Sequence, residues 1–157
     1  MKNIIALISL LFLFSCEDNL SSKTPTFEAT VNGNNHWIAD SYSAVIQNNQ
    51  LSISANNQFG AISIFLDSVA IDRYNFYSWT EDFAVFQDTL QYSTQNDGIG
   101  SIAYLSDGFL DIHEIDNINN TISGHFHFDA YNASGEYTIN ISDGVFYKIP
   151  VNLGVQD

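Results

Sequence analysis

Apolar and polar residues alternate along most of the chain beyond residue 26. Phe27, Ala29 and Val31 fall on one side of an extended backbone and Glu28 and Thr30 on the other, and Leu51, Ile53 and Ala55 repeat the arrangement against Ser52 and Ser54. The same rhythm recurs over residues 62–66, 99–105, 126–130 and 137–141. A period of two marks a strand with one buried face, and no stretch between 26 and 151 sustains the i, i+3, i+4, i+7 spacing of an amphipathic helix. Residues 67–73 (DSVAIDR), the sole helical candidate, are short and uncapped and read as a loop or single turn.

Turn chemistry punctuates these segments. Asn32-Gly33, Asn48-Asn49, Asn56-Asn57, Asn96-Asp97-Gly98, Asp107-Gly108 and Asp143-Gly144 all combine residues that tolerate positive φ or close a side-chain-to-backbone turn. Strands spaced about 8–15 residues apart with short turns form antiparallel hairpins, because parallel neighbours need long crossovers. The expectation is an all-β fold, an antiparallel β-sandwich or flattened barrel of about 9–11 short strands joined by hairpins.

The first residues differ in kind. After Lys2, residues 4–14 are almost wholly apolar, which is signal-peptide length and well short of the roughly 20 residues that cross a bilayer as a helix. Ser15-Cys16 follows at once, and the segment resembles the lipobox of bacterial lipoproteins. That resemblance implies cleavage before Cys16, a diacylglycerol on its thiol and an acyl chain on its amine; the plainer account is a secreted protein with an incidental cysteine. Residues 17–25 (EDNLSSKTP) are polar and end in Pro, so 1–15 read as signal, 16–25 as lipidated cysteine and tether, and 26–157 as one β domain. The expected location is the cell envelope, lipid-anchored, with the outer membrane favoured and the leaflet open: Glu17 and Asp18 resemble a surface-export signal, while acids beside the cysteine also favour inner-membrane retention in other bacteria. A single cysteine excludes an intramolecular disulfide, so the domain relies on its core.

Composition narrows the partners. Beyond residue 15 the chain carries eighteen acids against three bases, a charge of −15. Phosphate binding needs clustered cations, so nucleic acid is excluded as a partner, and the membrane is met through the lipid and not through the folded surface. With 22 aromatics among the 157 residues the acidity belongs to a folded body and not to a disordered tail.

Several segments together are similar to a family of small bacterial lipoproteins of unknown function, each one all-β domain long. The similarity rests on Phe27-x-Ala29-x-Val31-Asn32-Gly33 with Trp37-x-Ala39, on Ile115-Asp116 with Ile122-Ser123-Gly124-x-Phe126-x-Phe128-x-Ala130, and on Ile141-Ser142-Asp143-Gly144-x-Phe146. These are core and turn positions, so the resemblance implies a fold and no reaction or cofactor. The family pattern has small hydroxyl residues where this chain has His125 and His127, which makes anything built on them particular to this member.

Three constellations could carry chemistry. A hairpin closed by a three-residue loop, Ile118-Asn119-Asn120, pairs positions whose numbers sum to 238, setting Ile112 against Phe126 on one face and His113 against His125 and Asp111 against His127 on the other, with Asp129 alongside. His113, His125, His127, Asp111 and Asp129 have the donor chemistry for zinc, copper or nickel, although a flat sheet splays ligands and a solvated polar face is the simpler account. The run Tyr74 to Phe83 holds Tyr77 and Trp79 beside Asn, Asp and Glu, as a sugar-binding platform does; core packing of Tyr74, Phe76 and Phe83 is the simpler account there. Calcium is suggested only by the acid excess, since no Asp-x-Asp-x-Asp-Gly loop is present. No Gly-x-Ser-x-Gly, phosphate loop or His-Glu-x-x-His occurs, so the expected role is non-enzymatic. It is a binding or structural envelope module with no cofactor, met by a glycan or an envelope protein, or alternatively binding metal.

Overall fold

A computed structural model describes residues 24–100 and 104–154. The export segment, Cys16 and the tether up to residue 23 lie outside the described residues. Eleven strands follow in chain order: β1 (Thr26–Val31), β2 (Asn35–Ile38), β3 (Ser41–Gln47), β4 (Gln50–Asn57), β5 (Gly60–Leu66), β6 (Arg73–Tyr77), β7 (Phe83–Gln87), β8 (Gln91–Ser93), β9 (Asp107–Asp116), β10 (Thr121–Asn132) and β11 (Thr138–Leu153). The alternation predicts most of them, and residues 67–72 are bends, as their lack of caps implies.

The strands form one sheet in the order β2-β1-β11-β3-β4-β5-β7-β8-β10-β9-β6, and an additional β10–β11 pairing closes it on itself. The fold is therefore a flattened barrel with sandwich-like layers. One layer runs β2-β1-β11-β10-β9-β6 and the other β3-β4-β5-β7-β8, and two strands pass between them. β11 pairs with β1 through Tyr147 and with β3 from Val151 onward, while β10 pairs with β9 through Asp129 and with β8 at Tyr131 and Asn132. The β3–β11 contact is parallel, a departure from the all-antiparallel expectation. It arises because the last residues of a long strand reach the start of the second layer from the side opposite to the hairpins.

β9, β10 and β11 have 10, 12 and 16 residues and are not short. Three predicted turns lie within strand bounds instead. Asp143 takes φ of 50° within β11, where the register against β1 and β10 shifts, so Asp143-Gly144 is a bulge; Lys148, with φ of 48°, marks a second. Bulges bend a strand without ending it, which is how β11 spans both layers. Asp107-Gly108 opens β9, and Asn56-Asn57 ends β4, the β4–β5 turn falling on Gln58 and Phe59. Asn48 and Asn49, with φ of 52° and 66°, form the two-residue turn that their identity predicts. Of the strand predicted over 99–105, residues 101–103 lie outside the described residues; the described remainder is not in a strand, Gly98 and Tyr104 making one isolated bridge and Ile99, Tyr104 and Leu105 being exposed.

A single apolar cluster fills the interior. Its centre is aromatic: Phe27 lies 5.1 Å from Phe126 and 6.4 Å from Phe146, with Trp37 edge-on to Phe27 at 6.1 Å. Tyr74 and Phe76 are buried in it.

Candidate functional site

The outer face of the β9–β10 hairpin carries the histidines. Its turn has four residues, not three, because the Asp116 carboxylate accepts the backbone N–H groups of Ile118 and Asn119 at 2.9 and 3.0 Å and the Asn119 side-chain N–H at 2.7 Å. These bonds, the Asn119 side chain foremost, hold the Asp116 carboxyl below its ordinary value. The register slips again between Ser123 and Gly124, leaving His113 as the extra residue of a bulge. The net shift is two residues, so each side chain keeps its face and changes its partner. His125 lies opposite Asp111, Phe126 opposite Leu110, and Asp129 opposite Asp107.

This rearrangement divides the five predicted ligands into two groups. Asp111 belongs to Arg73, whose Nε and Nη2 donate to its Oδ2 at 3.2 and 2.8 Å while the guanidinium lies 4.3 Å over the Phe109 ring. His125 sits 3.6 Å from the same oxygen and its ring is 5.3 Å from that of His113. His127 instead approaches Asp129 (Nε2 to Oδ2, 3.8 Å) and joins Asp107, their donor atoms all lying within 4.8 Å of one another. Asp107 is the residue that sequence reasoning missed, because Asp107-Gly108 reads as a turn. Continuing the 109, 111, 113 alternation two residues back would have placed it on this face.

The second candidate lies on the β6–β7 connection. Trp79 is 66% exposed and stacks on Tyr77 with ring centroids 4.8 Å apart and planes 7° from parallel. Thr80 fixes this turn: its hydroxyl donates toward the carbonyls of Tyr77 (2.8 Å) and Asp82 (2.9 Å) and accepts the Tyr77 N–H (2.9 Å). The Ser78 hydroxyl donates to Asp97 at 2.6 Å, tying the turn to the loop after β8. Phe83, predicted in the core, is half-buried on the outer side and stacks on Phe65 at 4.7 Å. Because Ala84 and Phe86 take the inward positions of β7, Phe83 and Val85 must face out.

Phe65 and Phe83 help line an open cleft of about 710 Å³ that Gln47, Gln50, Asp67 and Glu81 also border. Gln50 donates to Asp67 at 2.9 Å. An outward Phe65 between inward Ile64 and Leu66 is the signal that points to this cleft from the sequence. Elsewhere, burial foremost and then the charge of Asp88 push the Tyr92 hydroxyl above its ordinary value, a consequence of its inward place on β8.

These features define an acidic all-β domain with shallow, open surface sites and an aromatic core. The chain belongs to the family DUF6252, a domain of unknown function, which matches residues 23–150. No curated protein and no solved structure matches the chain.

Proposed function

We propose that the chain is a lipid-anchored protein of the cell envelope whose β domain binds carbohydrate without transforming it. The anchor rests on the resemblance of residues 4–16 to a lipoprotein signal and on the polar stretch that follows Cys16. At the domain's edge the Tyr42 hydroxyl donates to the Pro25 carbonyl at 2.7 Å, so the tether enters β1 from a fixed point. No helix among the described residues is long and apolar enough to cross a membrane.

The observation that carries the binding reading is the Tyr77–Trp79 stack. The exposed indole is backed by a second, nearly parallel ring on a turn that Thr80 and Ser78 hold in place, so the aromatic face is ordered before any ligand arrives. Aromatic faces accept the C–H faces of sugar rings, while carboxylates and amides take the hydroxyls. The same connection delivers Glu81 and Phe83 to the cleft with Asp67, Gln50 and Phe65.

One preparation tests both halves, the full-length lipoprotein in detergent micelles. It should incorporate labelled palmitate, and a Cys16→Ala variant should not. Wild-type protein should co-sediment with at least one of peptidoglycan sacculi, cellulose, chitin or starch. Trp79→Ala should weaken that retention by about 5- to 30-fold, the equivalent of roughly 1–2 kcal/mol from one stacking ring, without moving the melting temperature. Absence of retention on all four polymers, or equal retention by Trp79→Ala, would refute carbohydrate binding. Palmitate on the Cys16→Ala variant would refute the anchor.

A further inference from the structure

We propose that Asp107, His127 and Asp129 form a binding site for one divalent first-row transition ion, with zinc as its natural probe. The three donors lie within 4.8 Å of one another on the outer face of β9 and β10. Metal–ligand bonds of about 2.0–2.2 Å place tetrahedral donors roughly 3.3–3.6 Å apart, so the site closes by a movement of about 1–1.5 Å. Asp107 is exposed and makes that movement by side-chain rotation.

The backbone explains why a sheet surface, which ordinarily splays its ligands, gathers these. A Cβ built on Gly108 would stand 2.5 Å from the His127 carbonyl oxygen and 2.6 Å from the Phe128 Cβ. Glycine therefore lets β9 press onto β10 at this point and carries the adjacent Asp107 toward His127 and Asp129. Asn140, from β11, donates to Asp129 Oδ1 at 2.7 Å, which orients the carboxylate and leaves Oδ2 on the side of His127. Outer partners of this kind fix a ligand's direction before the ion binds.

Charge supplies a separate argument. Asp107 and Asp129 are direct cross-strand partners, an arrangement that opposes pairing because like charges face each other. The two described cations are committed elsewhere, Arg73 to Asp111 and Lys148 over the Tyr147 ring. A bound cation resolves the repulsion. The imidazole among the donors selects zinc, nickel or copper over calcium and magnesium, which take oxygen ligands. His113 and His125 belong to the Arg73–Asp111 group and contribute no ligand.

The experiment titrates the full-length lipoprotein in detergent micelles with zinc alone, by calorimetry in chelator-free buffer, and follows the melting temperature in parallel. One ion per chain should bind with a micromolar dissociation constant and raise the melting temperature. His127→Ala and Asp107→Asn should each weaken binding at least tenfold, and His127→Gln provides a second variant of the same ligand with retained side-chain volume. Asn140→Ala should weaken it about tenfold through orientation. The double variant His113→Ala/His125→Ala should leave the affinity within threefold, and a matching concentration of calcium should not compete. Lack of saturable binding below about 1 mM, unaltered affinity in both His127 variants, or loss of binding in the His113/His125 double variant would each overturn the assignment. The carbohydrate assay uses none of these residues, so the two readings stand or fall separately.

Discussion

At the scale of single residues, Asp116 couples the β9–β10 turn to pH. Its carboxylate accepts three donors from Ile118 and Asn119, and this holds its folded value below the ordinary 3.8. A carboxyl whose folded value is depressed stabilises the protein above its unfolded value and loses that contribution as pH falls through the folded one. Asp116→Ala should therefore lower the melting temperature at pH 7, and its gap from wild type should narrow below about pH 4. Asp116→Asn keeps an acceptor oxygen for the two backbone N–H groups and should lose less. Thermal melts of the three proteins from pH 7 to pH 2 check this, and a gap independent of pH would show that the charge plays no part. The same residue helps set which side chains meet further along. By lengthening the loop to four residues it supplies one of the two register steps, the bulge at His113 supplying the other, through which Asp107, and not Asp111, becomes the neighbour of His127 and Asp129.

At the scale of elements, the long strands bend where glycine or a positive-φ residue permits close approach. Gly124 shows the constraint most sharply: a Cβ there would lie 2.2 Å from the Asp111 carbonyl oxygen and 2.3 Å from the Phe146 ring. Gly124→Ala must push β9 or the central aromatic cluster outward. It should cost roughly 1–3 kcal/mol in urea unfolding, the usual range for overpacking a filled core, whereas Gly33→Ala, with open space around it, is limited by its backbone conformation alone. Equal stability of Gly124→Ala and wild type would contradict this packing. The inward positions of β1, β4, β5 and β10 are legible in the sequence because alternation is itself the record of burial. Bulges are not, since Asp-Gly and Asn-Gly suit a hairpin turn and a kink inside a strand equally well. That ambiguity hides Asp107 at the head of β9 and makes β11 look like two strands. The departure about Ile99 and Tyr104 has another cause: the segment's apolar alternation is real, but its described residues meet the rest of the fold through the Gly98–Tyr104 bridge and the Ile99 N–H to the Gly135 carbonyl and not through a ladder. Tyr77 and Trp79 were legible as a candidate site because they are local in sequence; the Phe65–Phe83 cleft requires strands that only the fold brings together.

At the scale of the whole molecule, closure depends on two corners. One is the antiparallel step of β10 from β9 to β8, and the other is the short parallel seam between Val151–Leu153 of β11 and Ala44–Ile46 of β3. Gly154 donates to the Ile46 carbonyl at 2.8 Å and Val151 to the Asn120 carbonyl at 2.8 Å, so the seam also fastens the β9–β10 turn. Without it β3 becomes an unpaired edge, available to other chains. The strong negative charge discourages such association but also strains the compact state through self-repulsion, leaving the seam as one of the few features that hold the two layers in a closed ring. Ending the chain after Pro150 removes a small set of ladder bonds worth about 1 kcal/mol each, a loss of roughly 2–4 kcal/mol. For a domain of this size that corresponds to a fall of about 5–15 °C in melting temperature. The shortened protein should also self-associate as salt screens its charge, an effect that size-exclusion chromatography at rising ionic strength would register. Leu153→Ala, which trims an exposed side chain and leaves the backbone seam in place, should do neither. If the shortened chain melts at the wild-type temperature and stays monomeric in high salt, ring closure through β3 and β11 contributes nothing to stability and the domain is better regarded as two layers joined at the β10 corner alone.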